Sequence, residues 1–327
     1  MSILVCGGAG YIGSHAVRRL LAAGYDVAVA DNLSTGHREA VPASVRFYQG
    51  DLRDAAFLDA VFAAEQVQAV MHFAAFSLVG ESVEQPLKYY NNNIGGTKSL
   101  LDAMVRHGVP YLVFSSTAAV YGEPQRLPIR EEDATVPTNP YGESKLAAER
   151  MIAWVSKAHG IRSVRLRYFN ACGADEAGDI GEAHEPETHL IPLVLQVPLG
   201  RRESIAVFGE DYDTPDGTCL RDYIHVCDLA DAHILALRYL MAGGESDVFN
   251  LGNGIGYSVR HIIETARRVT GHPIPAVTMP RRAGDPAVLI ASGDKARQLL
   301  GWQPKMDDPQ AMVRSAWNWH RTHPHGY

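Results

Sequence analysis

An α/β protein built on a doubly wound parallel sheet, with a smaller mixed α/β substrate domain appended, is what the sequence predicts. Three features predict it. Short β-branched apolar runs alternate with longer stretches of helical period through the first half of the chain, the pattern of repeated strand-helix-strand units. A glycine-rich turn, Gly7, Gly10 and Gly13 in the order G-x-x-G-x-x-G, follows the first run and opens a helix. A carboxylate, Asp31, ends the second run.

Strands are expected at "ILVCGG", "DVAVAD", "VRFYQGD", "AVMHFAA", "YLVFSS" and "SVRLRYFN". Each is nearly continuous in apolar residues, as strands are when helices cover both faces of their sheet. Helical spacing marks Ile12 to Ala23, Asn92 to His107 and Glu143 to His159. The last of these is well bounded. Asn139 and Pro140 suit its N-cap and first turn, Leu146, Met151, Trp154, Val155 and Ala158 form its apolar stripe, and Gly160 stops it.

After Asn170 the rhythm breaks into the loop-rich "ACGADEAGDIGEAHEPETHLIP". Residues 1–170 are therefore expected to form a dinucleotide-binding domain and 171–327 mainly a second, substrate-binding one. The helix-like "VCDLADAHILALRYLM" and strand-like "DVFNLG", within 226–258, are expected to return to the first. No internal repeat is evident.

Composition narrows the function classes. The 327 residues are 46% hydrophobic and 20% charged, with a formal net charge of −7 and no low-complexity stretch, so a dedicated nucleic-acid surface is not expected. The pairs Arg201/Arg202 and Arg281/Arg282 are either phosphate ligands or solvated surface. Four cysteines are too few and too irregularly spaced for a disulfide framework or a cysteine-based zinc site. Fourteen histidines, "HPH" at 323 to 325 included, show no ligand spacing backed by a third ligand, and no metal is expected. Trp317 and Trp319 read as packing residues. No run of 18 apolar residues occurs, and "ILVCGG" follows no basic region or cleavage pattern, so the expected setting is the cytoplasm, with no membrane partner.

The glycine turn has a clear physical use. Glycines permit a tight turn and let backbone N–H groups and a positive helix end approach a pyrophosphate. Asp31 then stands where a carboxylate accepts from ribose hydroxyls and repels a 2′-phosphate, which favours NAD over NADP and makes the first domain Rossmann-type. Asp51 and Leu52, in "GDLRD", either frame an adenine or, for Asp51, cap a helix.

Tyr141 and Lys145, in "NPYGESK", lie four apart on one helix face. A phenol titrates near 10, and neighbouring positive charge from Lys145 and an oxidised nicotinamide would lower it toward working pH for acid-base chemistry. "FSSTAAVYG" adds hydroxyls at Ser115, Ser116 and Thr117, beyond a strand's carboxyl end where open parallel sheets bind ligands.

With "GGAGYIGSH", "DNLSTG", "HFAAFSLVGESV", "YYNNNIGGT", "SSTAAVYG", "RYFNACGA", "GRRESIAVFGEDYDTPDGTCLRDYIHVCDLADAH" and "RRAGDP", the sequence resembles the extended short-chain dehydrogenase/reductase family over nearly its whole length, and within it the 4-epimerases of UDP-sugars. The resemblance implies interconversion of UDP-galactose and UDP-glucose through a 4-keto intermediate and transient NADH, with UDP-N-acetylgalactosamine and UDP-N-acetylglucosamine as further candidates. It implies Tyr141 as base, Lys145 holding cofactor ribose and tuning the tyrosine, and Thr117 as hydroxyl partner. Gly7, Gly10, Tyr11, Ile12, Gly13, Asp31, Asn32, Asp51, Leu52, Phe73, Asn92, Tyr141 and Lys145 are expected at NAD, with Tyr168 near the nicotinamide. Thr117, Tyr141, Asn170, His189, Leu190, Ala206, Phe208, Arg221, Tyr223, Arg282, Asp285 and Leu289 are expected at the UDP-hexose, where Arg221 and Arg282 suit diphosphate oxygens. A homodimer is implied, through the helices at 92–107 and 143–159.

Three positions depart from the family pattern. Ser77 stands where some members carry a lysine reaching cofactor phosphates, and His189 where others have asparagine beside the nucleotide. Leu289 replaces a bulky tyrosine of some members, leaving space for a 2-acetamido group. A 4,6-dehydratase would need an acid and a base after Thr117, and the chain has Ala118 and Ala119. A 4-epimerase of another UDP-sugar such as UDP-glucuronate, and a non-catalytic NAD sensor on the same fold, stay open. The intact Tyr141, Lys145 and Thr117 speak against the sensor.

Overall fold

The first apolar run is unbroken because it is buried twice: in strand β1 (Ser2–Cys6), Ile3 and Val5 join one apolar layer while Leu4 and Cys6 join the opposite one. The computed structural model describes residues 2–282 and 286–327.

The chain continues through α1 (Tyr11–Ala22), β2 (Val27–Asp31), β3 (Arg46–Gln49), α2 (Ala55–Glu65), β4 (Val67–His72), α3 (Val79–Glu84) and α4 (Pro86–Tyr89). Next come α5 (Gly96–Arg106), β5 (Tyr111–Ser115), α6 (Pro140–His159), β6 (Arg162–Tyr168), β7 (Asn170–Cys172) and α7 (Leu190–Leu195). Strands β8 (Ile205–Phe208), β9 (Leu220–Arg221) and β10 (Tyr223–His225) lead to α8 (Val226–Met241), β11 (Asp247–Leu251), β12 (Tyr257–Ser258) and α9 (Val259–Thr270). Strands β13 (Ala276–Met279) and β14 (Val288–Leu289) precede α10 (Asp294–Leu300) and α11 (Pro309–Thr322).

Seven strands form one parallel sheet in the order β11-β6-β5-β4-β1-β2-β3. All six runs read as strands lie in it. Residues of α2, α5 and α6 cover one face, and those of α1, α8 and α10, with Trp302, cover the other. Strand order reverses between β1 and β4, opening a crevice at their carboxyl ends, where such sheets bind ligands. A separate apolar cluster joins α7, β8, α9 and α11 beyond the sheet. Small pairings, β7 with β10, β8 with β13, and β9 between β12 and β14, sit with it.

Two local features differ from the expected elements. The helix expected from Asn92 begins instead as a wide π-helical turn, Tyr90–Gly95, before α5. Such turns gather at functional sites, and this one carries Asn93 inward. Strand β7 is three residues long and, among the described residues, pairs with β10 alone, so it has no periodicity of its own to read.

Candidate active site

Gly7 follows β1 with φ +80°, and a Cβ on it would stand 2.5 Å from the Ala74 backbone nitrogen. A Cβ on Gly13 would stand 2.1 Å from the Gly7 carbonyl oxygen, so the fold itself demands both glycines. Gly10 is different. Its nearest obstacle is the Gly7 oxygen at 3.4 Å, ordinary contact for a side chain, so packing alone does not demand a glycine there. Phe73 and Ala74 donate to the Cys6 carbonyl at 2.8 and 3.1 Å, closing β4 against the turn at the switch point.

Asp31 binds this turn to the next strand: its carboxylate accepts from Ala9 N at 2.9 Å and Leu33 N at 2.8 Å. Burial raises its pKa and those two bonds oppose the rise. Asp51 is not a helix cap, since Asp54 caps α2 through Ala56 N and Phe57 N. Asp51 instead chelates Arg53 at 2.8 and 2.6 Å and accepts from Asn32 at 3.2 Å, and the arginine holds its carboxyl well below the usual range. Tyr11 and Ile12 begin α1, where Tyr11 Oη donates to the Gly173 carbonyl at 2.6 Å. Leu52 lies in the apolar layer of α2 and α5. These residues fit NAD.

Helix α6 starts as the sequence predicts, with Asn139 accepting from Gly142 N at 2.9 Å and Pro140 in the first turn. Its first turn brings Tyr141 near Thr117, whose hydroxyl acts on the phenol, and the next brings Lys145 Nζ to the Ser115 carbonyl at 2.8 Å. Both contacts meet the carboxyl end of β5. Burial pushes the Tyr141 phenol above its ordinary value, and the Thr117 hydrogen bond pulls the other way. Burial pushes Lys145 down to about 7, against the charge of Glu149. Lys145 Nζ is directed at the Ser115 carbonyl, behind the first turn that carries Tyr141. Tyr168 shares a short hydrogen bond with Ser115 Oγ.

Asn92 donates to Asn93 at 3.0 Å. Asn93, which sequence reading passed over, accepts from Phe76 N and donates to Phe76 O and to Ser144 Oγ at 2.9, 3.1 and 2.9 Å. It ties the segment after β4 to the turn of α6 between Tyr141 and Lys145. A second overlooked group lies behind Thr117. Glu149 accepts from Ser116 Oγ at 2.5 Å and pairs with Arg167 at 2.9 and 2.5 Å, while Arg167 donates to Tyr121 at 2.8 Å and Tyr121 to Asn250 at 2.7 Å.

The expected substrate residues fall into groups. In β9 and β14, Arg221 pairs in register with Leu289, and Leu289 packs on the Ala118, Val120, Tyr121, Ile129 and Leu146 cluster beside the Thr117 loop. Arg221 donates to the Leu220 and Pro286 carbonyls, each at 2.9 Å. Arg282 stacks over Phe208, 4.9 Å from the ring centre, and Ala206 shares β8 with Phe208. Tyr223 is buried in β10 and is the pairing partner of Asn170, whose Nδ2 donates to the Asp222 carbonyl at 3.2 Å. Leu190 opens α7 and His189 precedes it, bonded at 2.5 Å to Glu182. Ser77 is exposed. Asp285 lies outside the described residues.

His189 belongs to a cluster that histidine spacing alone did not reveal: Glu182, His184, Glu187 and His189 turn their ligand atoms together, all within 4.8 Å of one another. The missing signal was the two glutamates interleaved with the histidines. Burial disfavours the charged form of His184, but its hydrogen bonds to the Glu182 and Glu187 carboxylates, and their charges, outweigh it and push it up to about 10.

Residues 3–252 match the NAD dependent epimerase/dehydratase family. The chain is similar to the UDP-glucose 4-epimerase of Halalkalibacterium halodurans, at 60% identity covering 100% of this chain and 98% of that protein. A crystal structure of a UDP-glucose 4-epimerase, 58% identical, superposes with a TM-score of 0.99 over 100% of this chain and 99% of that one. The UDP-glucose 4-epimerase from Bifidobacterium longum in complex with NAD+ and UDP, 42% identical, superposes with a TM-score of 0.95 over 100% of both chains.

Proposed function

The chain belongs to the NAD dependent epimerase/dehydratase family, and from that membership we propose how its residues invert a UDP-hexose at C4. The protein is an isomerase that interconverts UDP-galactose and UDP-glucose and uses NAD. One observation carries the residue assignment: Tyr141 meets Thr117 and Lys145 meets Ser115 at the carboxyl end of β5, beside the crevice between β1 and β4.

NAD held at the glycine turn and Asp31 supplies reversible two-electron oxidation at sugar C4. Tyr141 takes the 4-hydroxyl proton as C4 becomes a ketone, and gives it back when the opposite face is reduced. Thr117, beside the phenol, would hydrogen-bond the 4-oxygen and orient it toward Tyr141 while the proton moves. Lys145 holds cofactor ribose. Arg221 and Arg282 fix the diphosphate bidentately, so the ketosugar turns over without leaving. Asp285 is assigned to the UDP-hexose.

Nothing in the geometry favours the glucuronate or sensor readings. The homodimer remains part of the proposal, supported by Trp154 of α6, 70% exposed, and by exposed Val83 and Leu87 on α3 and α4, which pack against α6. No described helix is long and apolar enough to cross a membrane. Four free, buried cysteines support a cytoplasmic setting.

The test is to incubate purified protein, without added cofactor, with UDP-galactose and separately with UDP-N-acetylgalactosamine, and to resolve the products. Conversion of the first is expected. No conversion of either, with bound NAD confirmed, overturns the reading.

A further inference from the structure

Between β7 and α7 the chain folds four side chains toward one point. His189 Nδ1 lies 2.5 Å from Glu182 Oε1 and 3.6 Å from Glu187 Oε1, and His184 Nδ1 lies 3.3 Å from Glu182 Oε1 and 3.7 Å from Glu187 Oε2. Metal bonds of about 2.0–2.2 Å to nitrogen and oxygen set the corners of a tetrahedron roughly 3.3–3.6 Å apart. With one oxygen taken from each glutamate, the His184–Glu182 and His189–Glu187 separations match that edge within a few tenths of an ångström, and the short His189–Glu182 contact has only to open.

The surroundings resemble a built site. Glu182 is 3% exposed. Glu187 Oε1 is oriented by the backbone N–H groups of Thr188 and His189, at 2.7 and 2.8 Å, the kind of outer support that fixes a ligating carboxylate. The Tyr11 ring stands edge-on to His184, with centres 6.1 Å apart, and walls one side. His189, with 43% of its side chain exposed, leaves an entry path on the other.

We propose that Glu182, His184, Glu187 and His189 form a binding site for a divalent transition-metal ion. Two carboxylates balance its charge and two neutral imidazoles complete a tetrahedral set, which suits Zn²⁺ better than Mg²⁺ or Ca²⁺, whose preferred shells are all oxygen. The ion would clamp the 173–190 loop, which already receives the Tyr11 hydroxyl at Gly173, over α1. That fixes His189 and Leu190, expected at the nucleotide, relative to the glycine turn. The site is separate from the proton-transfer groups at β5.

The competing account is that protons alone hold the cluster, as imidazolium-carboxylate pairs. Co²⁺ distinguishes the two because a tetrahedral site gives it intense visible bands. The full-length, untagged, NAD-loaded protein is freed of metal with a chelator and titrated with Co²⁺, then with Zn²⁺, in the presence of excess Mg²⁺. Expected are uptake of one equivalent at micromolar concentration, tetrahedral bands, and bleaching of those bands by Zn²⁺. His184→Asn and Glu187→Gln, each checked for folding by NAD retention, should weaken uptake at least about tenfold. Absence of saturable uptake by the wild type overturns the proposal whatever the variants do. So does uptake unchanged in both variants, which would assign the ion elsewhere.

Discussion

Lys145 Nζ donates a 2.8 Å hydrogen bond to the Ser115 carbonyl from a side chain that is 4% exposed. Burial pushes this amine down to about 7, far below its unfolded value, so between about pH 7 and pH 10 the unfolded chain carries more protons and stability rises with pH. Lys145→Met orphans the Ser115 carbonyl, a penalty that does not change with pH. In NAD-free protein the wild-type-minus-variant stability, from urea midpoints, should therefore increase by a few kcal/mol across that window. A difference that stays flat would show that the ammonium is not penalised.

Thr117 lies beside the Tyr141 phenol and acts on it, and the proton transfer proposed for the pair can be read apart from NAD retention. Tyr141→Phe should lower kcat by roughly 10²–10⁴-fold, the usual worth of a positioned acid-base group, while NAD released on denaturation stays stoichiometric. Thr117 also caps Ala119 N at 3.1 Å, so Thr117→Val mixes two losses. Thr117→Ser keeps the hydroxyl and should restore most of kcat. A serine variant as slow as the valine one would remove the hydroxyl from the mechanism.

Glu149 and Arg167, 3% and 6% exposed, form a buried pair directly behind Ser116. Arg167→Met leaves a buried carboxylate without its partner and should cost about 3–5 kcal/mol. Glu149→Gln combined with Arg167→Met removes the stranded charge and should recover a large part of that loss. Urea midpoints check both, and equal destabilisation of single and double variants would contradict the pairing.

Trp154 projects from α6 into solvent, with Lys157 over its ring at 5.7 Å. With exposed Val83 and Leu87 on α3 and α4, which pack against α6, it belongs to the surface proposed for the dimer. Trp154→Glu should shift the proposed dimer toward monomer in light scattering, with no change in the thermal midpoint of the monomer beyond a degree or two. A variant that sediments as the wild type does would place the interface elsewhere.

What could be read before folding follows from locality. Strands β1, β2, β4 and β5 were legible because both their faces are apolar, and the boundaries of α6 were legible because Asn139, Pro140 and Gly160 act within a few residues. Glu149 looked like an ordinary charged helix position. Only the pairing of β5 with β6 brings Arg167 beneath it. Asn93 looked like one of three consecutive asparagines, and its role depends on a turn too wide for helical periodicity to register. The Glu182–His189 cluster escaped because its ligands are mixed in type and gathered by a loop.

Leu289 lies opposite Arg221 in the β9–β14 pairing and packs against the cluster that carries Ala118 and Tyr121, so its size bears on the space next to the Thr117 loop. A leucine leaves room there that a tyrosine would fill. The wild type should therefore convert UDP-N-acetylgalactosamine as well as UDP-galactose. Leu289→Tyr should lower kcat/KM for the acetylated sugar at least about tenfold more than for UDP-galactose, since steric exclusion acts on the group that needs the volume. The hexose itself should still turn over, because the diphosphate anchor is proposed at Arg221 and Arg282, away from the 2-position of the sugar. Product ratios from both substrates decide it: failure of the wild type on the acetylated sugar, or an equal loss on both sugars in the variant, would remove Leu289 from the control of substrate range.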